Sequence, residues 1–142
     1  MVIELEMHTT DFVIAEIEKP EQHQKVMELV HTGKLTVNSF TSAELTAIIQ
    51  KENEHSGLSL TDCSVWHFAE THNAILLTGD GRLRKTTQKA GLDVHGSLWL
   101  LDELLGQGII SRQRACHALK ALMSVNSRLP QGECEKRLRN WC

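Results

Sequence analysis

The run Ala74-Ile75-Leu76-Leu77 most constrains what this chain can fold into. Four apolar residues without alternation, closed by Thr78-Gly79-Asp80-Gly81, read as a short strand buried on both faces, as strands of helix-covered parallel sheets are. Upstream, Leu58-Ser59-Leu60-Thr61 leads into a helix that begins near Asp62 and runs through Trp66 and Ala69; downstream, a basic helix follows near Arg82 to Ala90. Asp62 and Asp80 therefore stand where the chain changes direction. In open parallel sheets ligands bind at the carboxyl ends of the strands, so these two acids are able to converge there.

The flanking sequence extends the alternation. Residues 2 to 8 alternate apolar and polar, as a strand with one wet face does. Thr9 or Thr10 is placed to cap a short helix from Asp11 to about Lys19, which Pro20 stops. A helix over Glu21 to Thr32 ends at Gly33, a strand follows at Leu35 to Phe40, and Thr41 or Ser42 caps a helix through about Glu54. Beyond Asp80 come a strand at Leu92 to His95 and a helix from about Ser97 to Leu105. The tail holds an amphipathic helix from Ser111 to Val125, with Ala115, Ala118, Leu119, Leu122 and Met123 on one face, and a short last helix carrying Lys136, Arg137, Arg139 and Trp141. The pattern predicts an α/β fold with a mainly parallel sheet of about four or five strands.

A chain of 142 residues is long enough to bury a core without covalent staples. Its cysteines, Cys63, Cys116, Cys134 and Cys142, have no CxxC spacing, and no secretion signal is visible at the N-terminus. A reducing cytoplasm and no disulfide are the expectation. No apolar run approaches the roughly 20 residues that cross a bilayer. Charge is uneven: up to Asp80 four Lys/Arg face 13 Asp/Glu, a net −9, and beyond it 11 face five, a net +6. A cation-attracting half beside a phosphate-attracting one, or helix faces solvated with opposite sign, would each produce this division.

Hard cations such as Mg²⁺ and Mn²⁺ take oxygen ligands from scattered carboxylates and retain waters. Asp62 and Asp80 suit that use, yet each also suits a helix N-terminus, where an acid accepts from free N–H groups and meets a favourable dipole. Thr78 is either a strand-end residue or a hydrogen-bonding partner that orients Asp80, and Glu16 taken alone is a helix-surface charge. Cys63 and His67 share a helix face, but no second pair completes a zinc pattern, so Cys63 reads as core. There is no GxSxG elbow, and Gly79-Asp80-Gly81 is too short to cradle phosphates as a Walker or dinucleotide loop does.

Leu58-Ser59-Leu60-Thr61-Asp62-Cys63-Ser64, then Ala69-Glu70, then Ile75-Leu76-Leu77-Thr78-Gly79-Asp80, resembles a PIN domain. Leu83-Arg84-Lys85, Gly91-Leu92, Val94-His95-Gly96 and Trp99-Leu100-Leu101 resemble the closing helix, strand and helix of a bacterial branch of that family. The likeness covers roughly residues 9 to 110 and is strongest from 58 to 101. It implies a three-layer α/β/α sandwich over residues 1–110, with 111–142 as a helical extension on the same domain. It also implies an RNA-cleaving site in which three or four acids bind Mg²⁺ or Mn²⁺.

Carried over residue by residue, the resemblance assigns Asp62 and Asp80 to metal and catalysis, with Thr78 in support. Two alignments supply the remaining acids. In the preferred one Glu16 is the second acid, and the family's first strand and its first acid are missing from the N-terminus. In the other, Asp11 and Glu44 fill those places. Arg82, Arg84 and Lys85 are the expected RNA-binding residues. A toxin paired with an antitoxin, a homo-oligomer, and a catalytically inactive binding module that keeps the fold are the roles the resemblance leaves open.

Overall fold

A computed structural model describes residues 6–142. Most of them are helical, and the strands are short. β1 (His8–Thr10) leads directly into α1 (Asp11–Ala15), followed by α2 (Pro20–His31), β2 (Thr36–Asn38), α3 (Ser42–Glu54) and α4 (Leu60–His72). Then come β3 (Leu76–Leu77), α5 (Gly81–Lys89), β4 (Val94–His95), α6 (Ser97–Gly106), α7 (Arg112–Val125) and α8 (Gln131–Trp141). The alternation read from sequence is present. The one wide sheet is not: among the described residues the strands form two pairs, β1 with β2 and β3 with β4. β1 and β2 run parallel, with Thr9 opposite Val37. Of the strand expected at residues 2 to 8, residues 2–5 lie outside the described residues, and β1 starts only at His8.

The helix ends follow from local chemistry. Thr10 accepts from the Val13 N–H and starts α1, but that helix ends at Ala15 rather than near Lys19, because the Glu16 and Ile17 N–H groups turn back to Val13 and Ile14 in a tighter turn. Thr41 and Glu44 form a reciprocal capping box at the start of α3. α4 starts at Leu60, not at Asp62: Ser59 is the cap and Asp62 sits inside the first turn. Asn73 ends α4 in the left-handed conformation, φ 49°, turning the chain into β3.

The residues divide into two compact units, one reaching up to Val94 and the other His95–Cys142. In the first, α4 contributes Cys63, Trp66 and Ala69 to a core completed by Ile48, Leu58, Leu76, Leu83 and Val94. Ile48 and Leu76 are essentially sealed from solvent, each contributing about 1.5–3 kcal/mol by burial. A buried hydrogen bond joins the hydroxyls of Thr10 and Ser64 at 2.9 Å. Since Ser64 donates to the Thr61 carbonyl, Thr10 is the donor, and the end of β1 is fixed to the first turns of α4.

In the second unit α7 buries its apolar face against α6 and α8, with Leu101, Leu119 and Cys134 at the centre. Arg137 binds Asp102 through two nitrogens, at 3.0 and 2.7 Å, and Glu133 at 3.0 Å. Those two carboxylates, Asp102 first, push its pKa still higher. Cys116 and Cys142 are joined by a disulfide, against the expectation that no staple forms. Spacing gave no sign of the pair, because the helical hairpin of α7 and α8 is what brings residues 26 apart together.

Candidate active site

The three acids of the preferred alignment occupy two helix starts and one helix end. Asp62 closes a capping box: its Oδ2 accepts from the Ser59 N–H at 3.0 Å, and the Ser59 hydroxyl accepts from the Asp62 N–H at 3.0 Å. Asp80 caps α5, its Oδ1 accepting from the N–H groups of Arg82 and Leu83, both at 2.9 Å. Glu16 follows the last turn of α1, and its Oε1 accepts from the Thr61 hydroxyl at 2.7 Å. Each carboxylate therefore spends one oxygen on the fold. The hydrogen bonds of the described residues leave Asp62 Oδ1, Asp80 Oδ2 and Glu16 Oε2 unengaged.

Two contacts bring the site residues towards the start of α4. The Thr61 hydroxyl carries Glu16 to the residue next to Asp62. Gly57, two residues before the Ser59 cap, lies under the Arg82 side chain: a Cβ there would meet the guanidinium and sit 2.8 Å from Arg82 Cδ. Gly57 has φ +89°, a conformation glycine adopts without the Cβ penalty. The Arg82 side chain, from the first turn of α5, thus reaches the loop that enters α4. Thr78 accepts from the Asp80 N–H at 3.0 Å, so it orients the Asp80 backbone. Arg82 and Lys85 are exposed, Arg84 is half-buried, and no carboxylate pairs with them among the described residues.

The other alignment's acids are placed differently. Asp11 is an exposed first-turn residue of α1. Glu44 has both oxygens in use: Oε1 accepts from the Thr41 N–H at 3.1 Å and its hydroxyl at 3.2 Å, and Oε2 meets His67 Nε2 at 3.1 Å. The Thr41 N–H, and then His67, hold the Glu44 carboxyl below its usual range. Cys63 lies in the core, where burial, with Asp62 beside it, raises the thiol to about 11.

The chemistry of this donor set fits a hard divalent cation, which takes one or two carboxylates and completes its shell with water and phosphate oxygens. A preformed cage is another matter: among the described residues no three His, Cys, Asp or Glu side chains gather closely enough to hold a metal ion. The sequence contained a signal for part of this arrangement, since Ser59-Leu60-Thr61-Asp62 has the spacing of a capping box. It contained none for Thr61 reaching Glu16 across 45 residues, nor for Arg82 lying on Gly57.

The sequence model of a family described as a PIN domain matches residues 2–142. The chain belongs to the PIN-domain family, and the match runs beyond residue 110 through α7 and α8. No curated protein sequence matches it. No helix among the described residues is long and apolar enough to cross a membrane.

Proposed function

We propose that this chain is a PIN-type ribonuclease that hydrolyses RNA phosphodiester bonds with Mg²⁺ or Mn²⁺, using Glu16, Asp62 and Asp80. The observation that carries this reading is the division of labour within each carboxylate: one oxygen is held by the fold, and the other is left for a ligand. A cation bound there supplies Lewis-acid stabilisation of phosphate charge. The protein's own part is to hold the carboxylates at fixed helix ends, with Thr61 restraining Glu16 and Thr78 restraining the Asp80 backbone. Arg82, Arg84 and Lys85 draw the RNA backbone to the same helix start. Glu44, with both oxygens committed, is the poorer ligand, which supports the alignment through Glu16.

The three-layer sandwich of the family is the architecture this reading implies, and an antitoxin or a second copy of the chain is the protein partner it allows. A toxin paired with an antitoxin is the role this reading favours. The test is cleavage of generic RNA in Mn²⁺ by the chain and by Asp80→Asn. Cleavage lost in Asp80→Asn supports the reading; equal background from both sinks it.

The lack of a three-ligand cluster among the described residues favours a second reading, a PIN-fold binding module without catalysis. It predicts no Mn²⁺-dependent rise in melting temperature, and a rise that disappears in Asp62→Asn would count against it.

A further inference from the structure

The second unit carries a pocket of about 610 Å³ lined by Leu105, Arg112, Arg139, Asn140 and Trp141. Its volume suits a small organic ligand. Arg112 opens α7, and Arg139 stands in the last turn of α8. Neither has a carboxylate partner among the described residues, whereas Arg137 on the same helix takes both Asp102 and Glu133. The pocket thus holds two guanidinium groups whose charge the protein leaves uncompensated. Trp141 is half-buried: it packs on the Leu101, Leu119 and Cys134 core and also forms a wall of the pocket. The residue after it is tied to α7 by the Cys116–Cys142 disulfide.

Two free guanidiniums call for a phosphate. An indole beside them offers a stacking surface for a planar ring, and the Asn140 amide offers one donor and one acceptor edge. We infer that this pocket binds one nucleotide of a single-stranded RNA, its phosphate between Arg112 and Arg139 and its base against Trp141. The site is formed entirely by the second unit and shares no residue with Glu16, Asp62 or Asp80. The choice of RNA over another phosphate ester rests on the proposed function; the phosphate and ring requirements rest on the pocket alone.

The test is equilibrium binding of a fluorescein-labelled pentauridylate to the full chain without divalent cation, followed by anisotropy. Arg112→Gln/Arg139→Gln should bind about tenfold more weakly than a charge-matched control, Lys120→Gln/Arg128→Gln, with a shallower salt dependence. Trp141→Leu, checked for retained fold by circular dichroism, should also lose about tenfold through lost stacking. Uridine monophosphate should compete at lower concentration than inorganic phosphate or a phosphoserine peptide. Binding is read without divalent cation and at residues the cleavage site does not use, so failure of the cleavage reading leaves this result readable. Equal affinity of the two double variants would overturn the inference, as would competition by inorganic phosphate or the phosphopeptide at the concentration effective for the nucleotide.

Discussion

The Thr61 hydroxyl donates a 2.7 Å hydrogen bond to Glu16, joining the residue beside Asp62 to an acid 45 positions earlier in the chain. A charge-assisted bond of this kind is among the stronger ones, but Glu16 is exposed, so its worth is orientation more than stability. Thr61→Val should lower stability by no more than about 1 kcal/mol. RNA cleavage should fall clearly below that of the unmodified chain, and Thr61→Ser should restore it. Thermal melts and single-turnover cleavage on the same samples separate the two effects.

Asp62 and Asp80 each serve a helix, and conservative substitutions divide that service from their charge. Asp80→Ser keeps a good cap, and Asp80→Ala removes it at a cost of about 1 kcal/mol. Urea titration should therefore rank Ser near the unmodified chain and Ala below it. A Mn²⁺-induced rise in melting temperature should be lost equally in both.

Glu44 makes stability depend on pH in the acid range. Its carboxyl is held below the ordinary value by the Thr41 N–H and by His67, so the folded state favours the ionised form. A depressed folded pKa gives stability that is fully present above the unfolded value, about 4.3 for glutamate, and is lost as pH falls through the lower folded value. Urea midpoints of the unmodified chain and of Glu44→Gln should differ at neutral pH and converge as the solution is acidified below that window.

Cys116 and Cys142 close a loop across 26 positions. By loop-closure entropy such a link contributes about 3 kcal/mol. Dithiothreitol, or Cys142→Ser, should lower the midpoint for the unit containing α6, α7 and α8, and Cys142→Ser should be insensitive to the reductant. Denaturant curves with and without dithiothreitol check both statements.

Gly57→Ala should cost more than about 1 kcal/mol, because φ +89° disfavours any Cβ and the Arg82 side chain occupies the space it would enter. Arg82→Ala in the same chain should recover the steric part and leave the backbone part. A double-mutant cycle on urea midpoints measures the two shares.

The helices were largely legible, and for a stated reason: their ends are fixed by residues a few positions away. Thr41, Ser59 and Asp80 all act within three residues of themselves, as Pro20 and Gly33 do. The sheet was legible only in order. Leu76-Leu77 and Val94-His95 are apolar enough to name as strands, but whether a pair extends into a wider sheet depends on groups far away in sequence. The same division runs through the site. The spacing of Ser59 and Asp62 is visible to a reader of the chain; the Thr61–Glu16 bond, the Arg82–Gly57 contact and the Cys116–Cys142 bond exist only once the helices have docked.

On the proposed reading the two aspartates serve a cation as well as the helix starts they cap, and this has an evolutionary consequence. A descendant that abandoned cleavage would still be selected to keep Asp62 and Asp80, because losing either frays the start of α4 or α5. Persistence of those two letters along a lineage therefore records folding as much as chemistry. Glu16 is under no such obligation, since its side chain holds no helix end. Drift at position 16, with 62 and 80 unchanged, is the mark an inactive branch would carry.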